Sequence, residues 1–247
     1  MKKAILGALA AVALLGGTGC STQAPVACIF TTSGRGGYFV HLTHTGTNAA
    51  CPSDIGDIWA FDPYKNTGFN MIGKPLSFDW PADPGPVTSG PNPYGYGTIP
   101  DEPDANSLCT VPSLTTMTNP ANGDSYAVTN LTFYGRADVL GAVWKADVTV
   151  TNAACPGDTY TAEGMAPILT ILGNPLTCGG TLNSPPDTNP ADFCASAASE
   201  IAPPIAATCN TDPWANSIAP LANSVVGGTD VPGQGVCFMA KPFPSLK

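Results

Sequence analysis

The chain has 247 residues, with nine Lys+Arg against 18 Asp+Glu and a formal net charge of −9 at pH 7. That balance disfavours nucleic acid and anionic lipid surfaces as partners, because both would be repelled. Charged residues are only 11% of the chain, while 26 Pro and 27 Gly accompany 43% hydrophobic residues. This composition argues against a disordered acidic tail and for a loop-rich fold with a real core, its polar surface made of Thr, Asn, Ser and backbone.

In chain order the first element is a leader. Lys2 and Lys3 precede an apolar run from Ala4 to Leu15, and the small residues Gly16-Gly17-Thr18-Gly19 lead to Cys20. This is the pattern of an export signal over residues 1–19; the apolar run is well short of the about 20 residues that cross a bilayer. Cys20, preceded by Thr18 and Gly19, resembles the lipobox of bacterial lipoproteins, although Gly17 stands where that pattern usually carries Leu. The resemblance implies cleavage before Cys20, acylation of its sulfur and attachment to the membrane through the N-terminal lipid. Ser21 occupies the position at which the family carries Asp for inner-membrane retention, which implies the outer membrane. Residues 20–27 then form a tether. Loss of Lys2 and Lys3 with the leader leaves the mature chain still more acidic.

Cysteine parity agrees with a lipid on Cys20. Of nine cysteines, Cys28, Cys51, Cys109, Cys155, Cys178, Cys194, Cys209 and Cys237 remain, an even set such as four disulfides require in an exported chain. None lies in a CxxC pair, which weakens zinc and redox readings.

Beyond the tether the pattern is mainly β. Tyr38 to Thr45, Tyr126 to Tyr134 and Val143 to Thr151 are rich in β-branched and aromatic residues and bounded by turn formers. In the last, Lys145, Asp147 and Thr149 alternate with Ala146, Val148 and Val150, the mark of a strand with one wet face. The stretch from Trp80 to Pro112, dense in Pro, Gly, Asn and Asp, reads as a long irregular loop cross-linked through Cys109. Two helices are expected late: Ala191 to Ala202, and a second opened by Asp212-Pro213, with Trp214, Ile218, Leu221 and Val225 on one face and Pro220 interrupting.

Thr47-Asn48-Ala49-Ala50-Cys51-Pro52 recurs as Thr151-Asn152-Ala153-Ala154-Cys155-Pro156, and Asp54 and Asp158 follow at the same distance. Flanking segments also align at an offset of roughly 100 residues. The expectation is two diverged β-sandwich-like modules, residues 28–125 and 126–247, with long Pro/Gly-rich loops and short C-terminal helices. Eight cysteines allow 105 pairings. The repeat favours equivalent bridges within each module, Cys51 to Cys109 and Cys155 to Cys209, with Cys178 to Cys194 as a local staple and Cys28 to Cys237 tying the ends.

Chemistry is sparse. His41 and His44 are the only histidines; three apart in a strand, they point to opposite faces and cannot chelate one ion together. No GxSxG, HExxH or phosphate-cradling Gly loop is present. Asp101, Glu102 and Asp104 gather carboxylates in a loop, a weak calcium candidate whose plainer reading is a solvated acidic turn; no other cofactor is indicated. Trp59, Trp80, Tyr94 and Tyr96, in or beside the Pro/Gly-rich loop, would suit a sugar or protein surface, unless they cover the core beneath it. The reading is a lipid-anchored cell-envelope protein, a binding or structural module for a protein or glycan rather than an enzyme. The alternative is an envelope hydrolase using a carboxylate pair, with or without assistance from calcium.

Overall fold

The computed structural model describes residues 27–28, 30, 37–66, 68–78, 85–86, 90–134, 142–166, 207–210, 212–213, 215, 236–239 and 243. The strands among these are β1 (Tyr38–His44), β2 (Asp54–Asn66), β3 (Phe69–Pro75), β4 (Gly95–Gly97), β5 (Leu108–Ser113), β6 (Met117–Thr118), β7 (Ser125–Tyr134), β8 (Val143–Thr151), β9 (Pro156–Met165), β10 (Ala207–Asn210) and β11 (Val236–Met239). The protein is mainly β, as expected. Among the described residues no helix is long and apolar enough to cross a membrane. Residues 191–202, the first helix candidate, lie outside the described residues; at the second, Pro213 and Ala215 are helical, and Ala215 N donates to Asp212 O at 2.9 Å.

One antiparallel sheet runs in the order β4-β3-β2-β1-β9-β8-β7-β5, with β6 also on β7, and β10 pairs with β11 separately. Strands from 28–125 and 126–247 join through β1 and β9 into this one sheet. The reason is in the inward-facing rings. Trp59 of the first half stacks on Trp144 at 5.4 Å and on Tyr126 at 5.5 Å, both from the second, and Phe61 meets Phe133 edge-on at 5.2 Å. Rings of this size carry a large share of a core's burial energy, and here they pack across the two halves. Alternation sets the inner face strand by strand: Tyr38, Val40 and Leu42 on β1, and Trp144, Ala146, Val148 and Val150 on β8, are all buried.

The sheet nearly closes. Thr115 N donates to Tyr96 O at 3.0 Å, and Tyr96 N donates to Thr115 Oγ1 at 2.9 Å, bringing β4 against the segment that follows β5. Gly97 makes that approach possible, since a Cβ there would lie 2.6 Å from Leu114 Cδ2 and 2.9 Å from Val111 Cγ1. Closure satisfies edge groups that would otherwise invite strand addition. It also shows that the stretch from Trp80 to Pro112 is less irregular than its composition suggests, since β4 and most of β5 lie in it.

The disulfides depart from the expected set. Cys28 is bonded to Cys109 and Cys51 to Cys155; Cys209 and Cys237 are both disulfide-bonded and face each other across β10 and β11. Cys20, Cys178 and Cys194 lie outside the described residues. β1 and β8 both run antiparallel to β9 and therefore parallel to each other, so the turns after them emerge at one end of the sheet. Equivalent cysteines of the two repeats are thus neighbours, and the bridge forms between the copies instead of within each.

Candidate functional site at the hairpin tips

The recurring hexamer builds the same feature twice. In the turn between β1 and β2, Asn48 Oδ1 accepts from Ala50 N at 3.0 Å, and Asn48 O accepts from Cys51 N at 3.0 Å. In the turn between β8 and β9, Asn152 Oδ1 accepts from Ala154 N at 3.0 Å and from Cys155 N at 2.7 Å. Asn favours such turns because its side chain replaces a backbone acceptor. Each turn sets its cysteine inward, with the two Cα atoms 4.7 Å apart.

The repeat-equivalent aspartates each take one of the two histidines. His41 Nε2 lies 2.8 Å from Asp54 Oδ1, within its own hairpin. His44 Nε2 lies 3.0 Å from Asp158 Oδ2, reaching into the neighbouring hairpin. Asp158 also accepts from Asn48 N at 2.7 Å and from Thr159 N at 2.8 Å. The Asn48 amide first, then His44 and the Thr159 amide, hold its carboxyl down at about 2. Burial alone would raise Asp54, yet hydrogen bonds from His41 and Ser53 and the charge of His41 outweigh it and leave Asp54 below its ordinary value. Gly46 is required here, because a Cβ on it would overlap the Asp158 carboxylate.

Tyr160 completes the cluster. Its ring lies 5.0 Å from that of His44, its hydroxyl donates to Pro52 O at 2.9 Å, and the same oxygen is 3.8 Å from Cys155 Sγ. Burial, then the charges of Asp158 and Asp54, push this phenol up. His44, Cys51 and Asp158 place their ligand-type atoms within 4.8 Å of one another, the one such group of three among the described residues.

A second polar cluster sits inside the sheet. Asp57 points inward in series with Trp59 and Phe61 and is 1% exposed. It accepts from Ile58 N at 2.7 Å, Trp59 Nε1 at 3.1 Å, Ser77 Oγ at 2.6 Å and Ser77 N at 3.3 Å. Burial nevertheless pushes its carboxyl up to about 6 against those donors. The neighbouring Tyr126 hydroxyl is raised by its own burial and then by the charge of Asp57.

The other residues singled out from the sequence are placed differently. Trp59 is fully buried at the centre of the core, and Tyr94 and Tyr96 are 8% and 1% exposed. Tyr96 packs against Tyr64 at 4.9 Å and Phe69 at 6.0 Å. These three rings lie in apolar clusters of the sheet and form no exposed surface; Trp80 lies outside the described residues. Asp101, Glu102 and Asp104 are exposed, and Asp104 Oδ1 is already taken by Asn106 N and Leu108 N, both at 2.8 Å. An open groove of about 540 Å³ lies at the opposite end of the sheet from the tips, lined by Cys28, Phe30, Pro63, Asn70, Ile99 and Asp101 among others.

Sequence reasoning did not anticipate that the histidines would pair with the repeat aspartates, or that Asp57 would be internal. The signal for the first was the recurrence of Asp54 and Asp158 behind the two cysteines. The signal for the second was the spacing Asp57, Trp59, Phe61.

The MlpA family matches residues 46–167, from the first hairpin tip to just past β9, a little under half of the chain. The match takes in both hexamers, both repeat aspartates and Asp57. No curated protein and no solved structure matches the chain.

Proposed function

We propose that the chain is a cell-envelope lipoprotein, acylated at Cys20 and held at the outer membrane, whose sheet is a binding or structural module for a protein partner. The MlpA match is consistent with a lipoprotein-like envelope protein. The observation that carries the reading is the position of the Cys28–Cys109 bridge. Cys109 pairs with Phe133 near the end of β7, whose start, Ser125, faces Thr151 at the hairpin tips. The bridge therefore clamps the incoming chain at the end of the sheet remote from the tips. The eight steps from Cys20 to Cys28 reach at most ~28 Å. The nine residues of β8 separate the two ends by about 30 Å. A lipid on Cys20 would hold the clamped end near the bilayer and turn the disulfide-linked tips away from it.

A protein is the better partner than a glycan because three of the four candidate stacking rings, Trp59, Tyr94 and Tyr96, are buried. The tips instead expose Thr47, Ala49, Ala50, Pro52, Ala153, Ala154 and Pro156, a small-residue surface on a rigid frame. The test is the intact mass of the protein extracted from membranes, before and after reduction and alkylation. A mass beginning at Cys20 with acyl chains, and cysteines that alkylate only after reduction, is the expected result. An unacylated chain with one thiol free before reduction would overturn the reading.

A further inference from the structure

We propose that reduction of the Cys51–Cys155 disulfide turns the hairpin-tip cluster into a zinc site, with Cys51, Cys155, His44 and Asp158 as the four ligands.

Three of the four donors already converge. The imidazole nitrogen of His44, the sulfur of Cys51 and a carboxylate oxygen of Asp158 lie within 4.8 Å of one another, and Cys155 supplies the fourth atom through its bond to Cys51. Zinc holds sulfur at about 2.3 Å and nitrogen or oxygen at about 2.0–2.2 Å, so a tetrahedron needs donors roughly 3.3–3.8 Å apart. His44 and Asp158 stand at 3.0 Å and need part only slightly, while the two sulfurs, freed from their bond, must separate to about 3.8 Å. Two thiolates with one imidazole and one carboxylate suit zinc rather than calcium or magnesium, which want oxygen alone.

Each hairpin contributes two ligands. His44 ends β1 and Cys51 lies in the turn after it; Cys155 lies in the turn before β9 and Asp158 near its start. A bound ion would therefore link the same two turns that the disulfide links, and the sheet beneath need not rearrange. Outer contacts that orient ligands are in place. The amides of Asn48 and Thr159 hold the Asp158 carboxylate. Gly46 leaves room for the carboxylate. Among the described residues no other disulfide has a histidine and a carboxylate converging on it.

The chemistry balances with a dithiol as reductant. The dithiol gives two electrons and two protons to the Cys51–Cys155 bond and leaves as its own cyclic disulfide, with two cysteine thiols formed. Zn²⁺ then displaces both thiol protons and binds two thiolates, the neutral imidazole and the carboxylate. Oxidation by a disulfide re-forms the Cys51–Cys155 bond and releases the ion.

The test uses the full chain, reduced with a dithiol and freed of it without air, then titrated with Zn²⁺ and separately with Co²⁺. The oxidised chain should not give the cobalt–thiolate charge-transfer band. The reduced chain should give that band with the visible absorption of tetrahedral cobalt, one ion per chain, displaced by zinc. His44→Ala and Asp158→Asn should each weaken zinc binding at least ten-fold, and Cys51→Ser with Cys155→Ser should abolish the cobalt band. Because the double variant lacks a structural bridge, the two single variants, which keep it until reduction, decide independently of its folding. A reduced chain that takes up no zinc, or one whose affinity is unchanged in both single variants, overturns the proposal. The second result would place the ion on thiols elsewhere. Neither result bears on acylation at Cys20, which the intact mass tests separately.

Discussion

Asp158 at the hairpin tips and Asp57 inside the sheet are both richly supplied with hydrogen-bond donors, yet they finish at opposite ends of the carboxylate range. Asp158 is held by the Asn48 amide, His44 and the Thr159 amide and falls to about 2. Asp57 has Ser77, Ile58 and Trp59 around it and still rises to about 6. The difference is water. At the tips the solvent completes the solvation of the carboxylate, so each donor stabilises the charge further. In the interior the donors replace only part of the lost hydration, and desolvation wins. The tips are thus a place where charge is settled and covalent linkage holds position. The interior is packed first and tolerates the buried carboxylate of Asp57 at a cost.

The largest expected effect breaks the tips. Replacing Cys51 and Cys155 together by Ala removes a cross-link of sequence separation 104, and the chain-entropy picture puts the loss near ~4.5 kcal/mol. Urea unfolding of the double variant should show it as a lowered midpoint. A loss of less than about 1 kcal/mol, below the typical ~2–4 kcal/mol of a disulfide, would mean that β1–β9 pairing already holds the tips together.

The interior is addressed by pH. The folded-state value of Asp57 is raised, so its contribution to stability is fully present below the ordinary carboxylate value of 3.8 and is lost as pH rises through about 6. The shift corresponds to about 3 kcal/mol at most. Asp158 acts in the opposite sense, its contribution being present above 3.8 and lost as pH falls towards about 2. Unfolding free energy should therefore fall between pH 4 and pH 6. Asp57→Asn, which carries no charge at any pH, should flatten that slope while leaving the loss below pH 4. An unaltered slope in the variant would show that another group titrates there.

The same contrast explains what could be read from the sequence. β1, β7 and β8 were legible because β-branched and aromatic residues alternate along them, and the structure finds them within a residue or two of Tyr38 to Thr45, Tyr126 to Tyr134 and Val143 to Thr151. β2 was not, because Asp54, Gly56, Asp57, Asp62 and Pro63 are residues that strands avoid. Pairing with β1 on one side and β3 on the other overrides that preference, and Pro63 sits beside the register shift of β2. β9 is hidden in the same way behind Pro156 and Gly157. The hexamers marked the tips, but local pattern does not encode which distant strand will be a neighbour. Spacing alone points the cysteines of the two hexamers to partners within each half, whereas β9 brings them to each other. Asp57 offered only its spacing from Trp59 and Phe61, which gains meaning once β2 is known to be a strand.

A smaller effect should follow at Gly46. Ala there must displace the Asp158 carboxylate from its place between Asn48 and His44, and overpacking of this kind costs about 1–3 kcal/mol. Because the tips are open to water, the carboxylate can swing outwards, so the lower end of that range is expected. The measurement that isolates the effect is the pH dependence below 4, where Gly46→Ala should weaken the contribution of Asp158 without touching the slope assigned to Asp57.

The smallest effect tests whether the two tips are equivalent in energy as well as in sequence. Asn48→Ala removes one side-chain acceptance, from Ala50 N, while the bond from Cys51 N goes to the Asn48 main chain and survives. Asn152→Ala removes two, from Ala154 N and Cys155 N. At about 1 kcal/mol per bond, Asn152→Ala should cost roughly twice as much as Asn48→Ala. The Asn48 amide also donates to Asp158, and that bond is unaffected because substitution by Ala keeps the N–H. Equal losses in paired unfolding curves would mean that the second turn relaxes to re-form a bond after substitution. The identical hexamers would then be interchangeable despite their different hydrogen bonds.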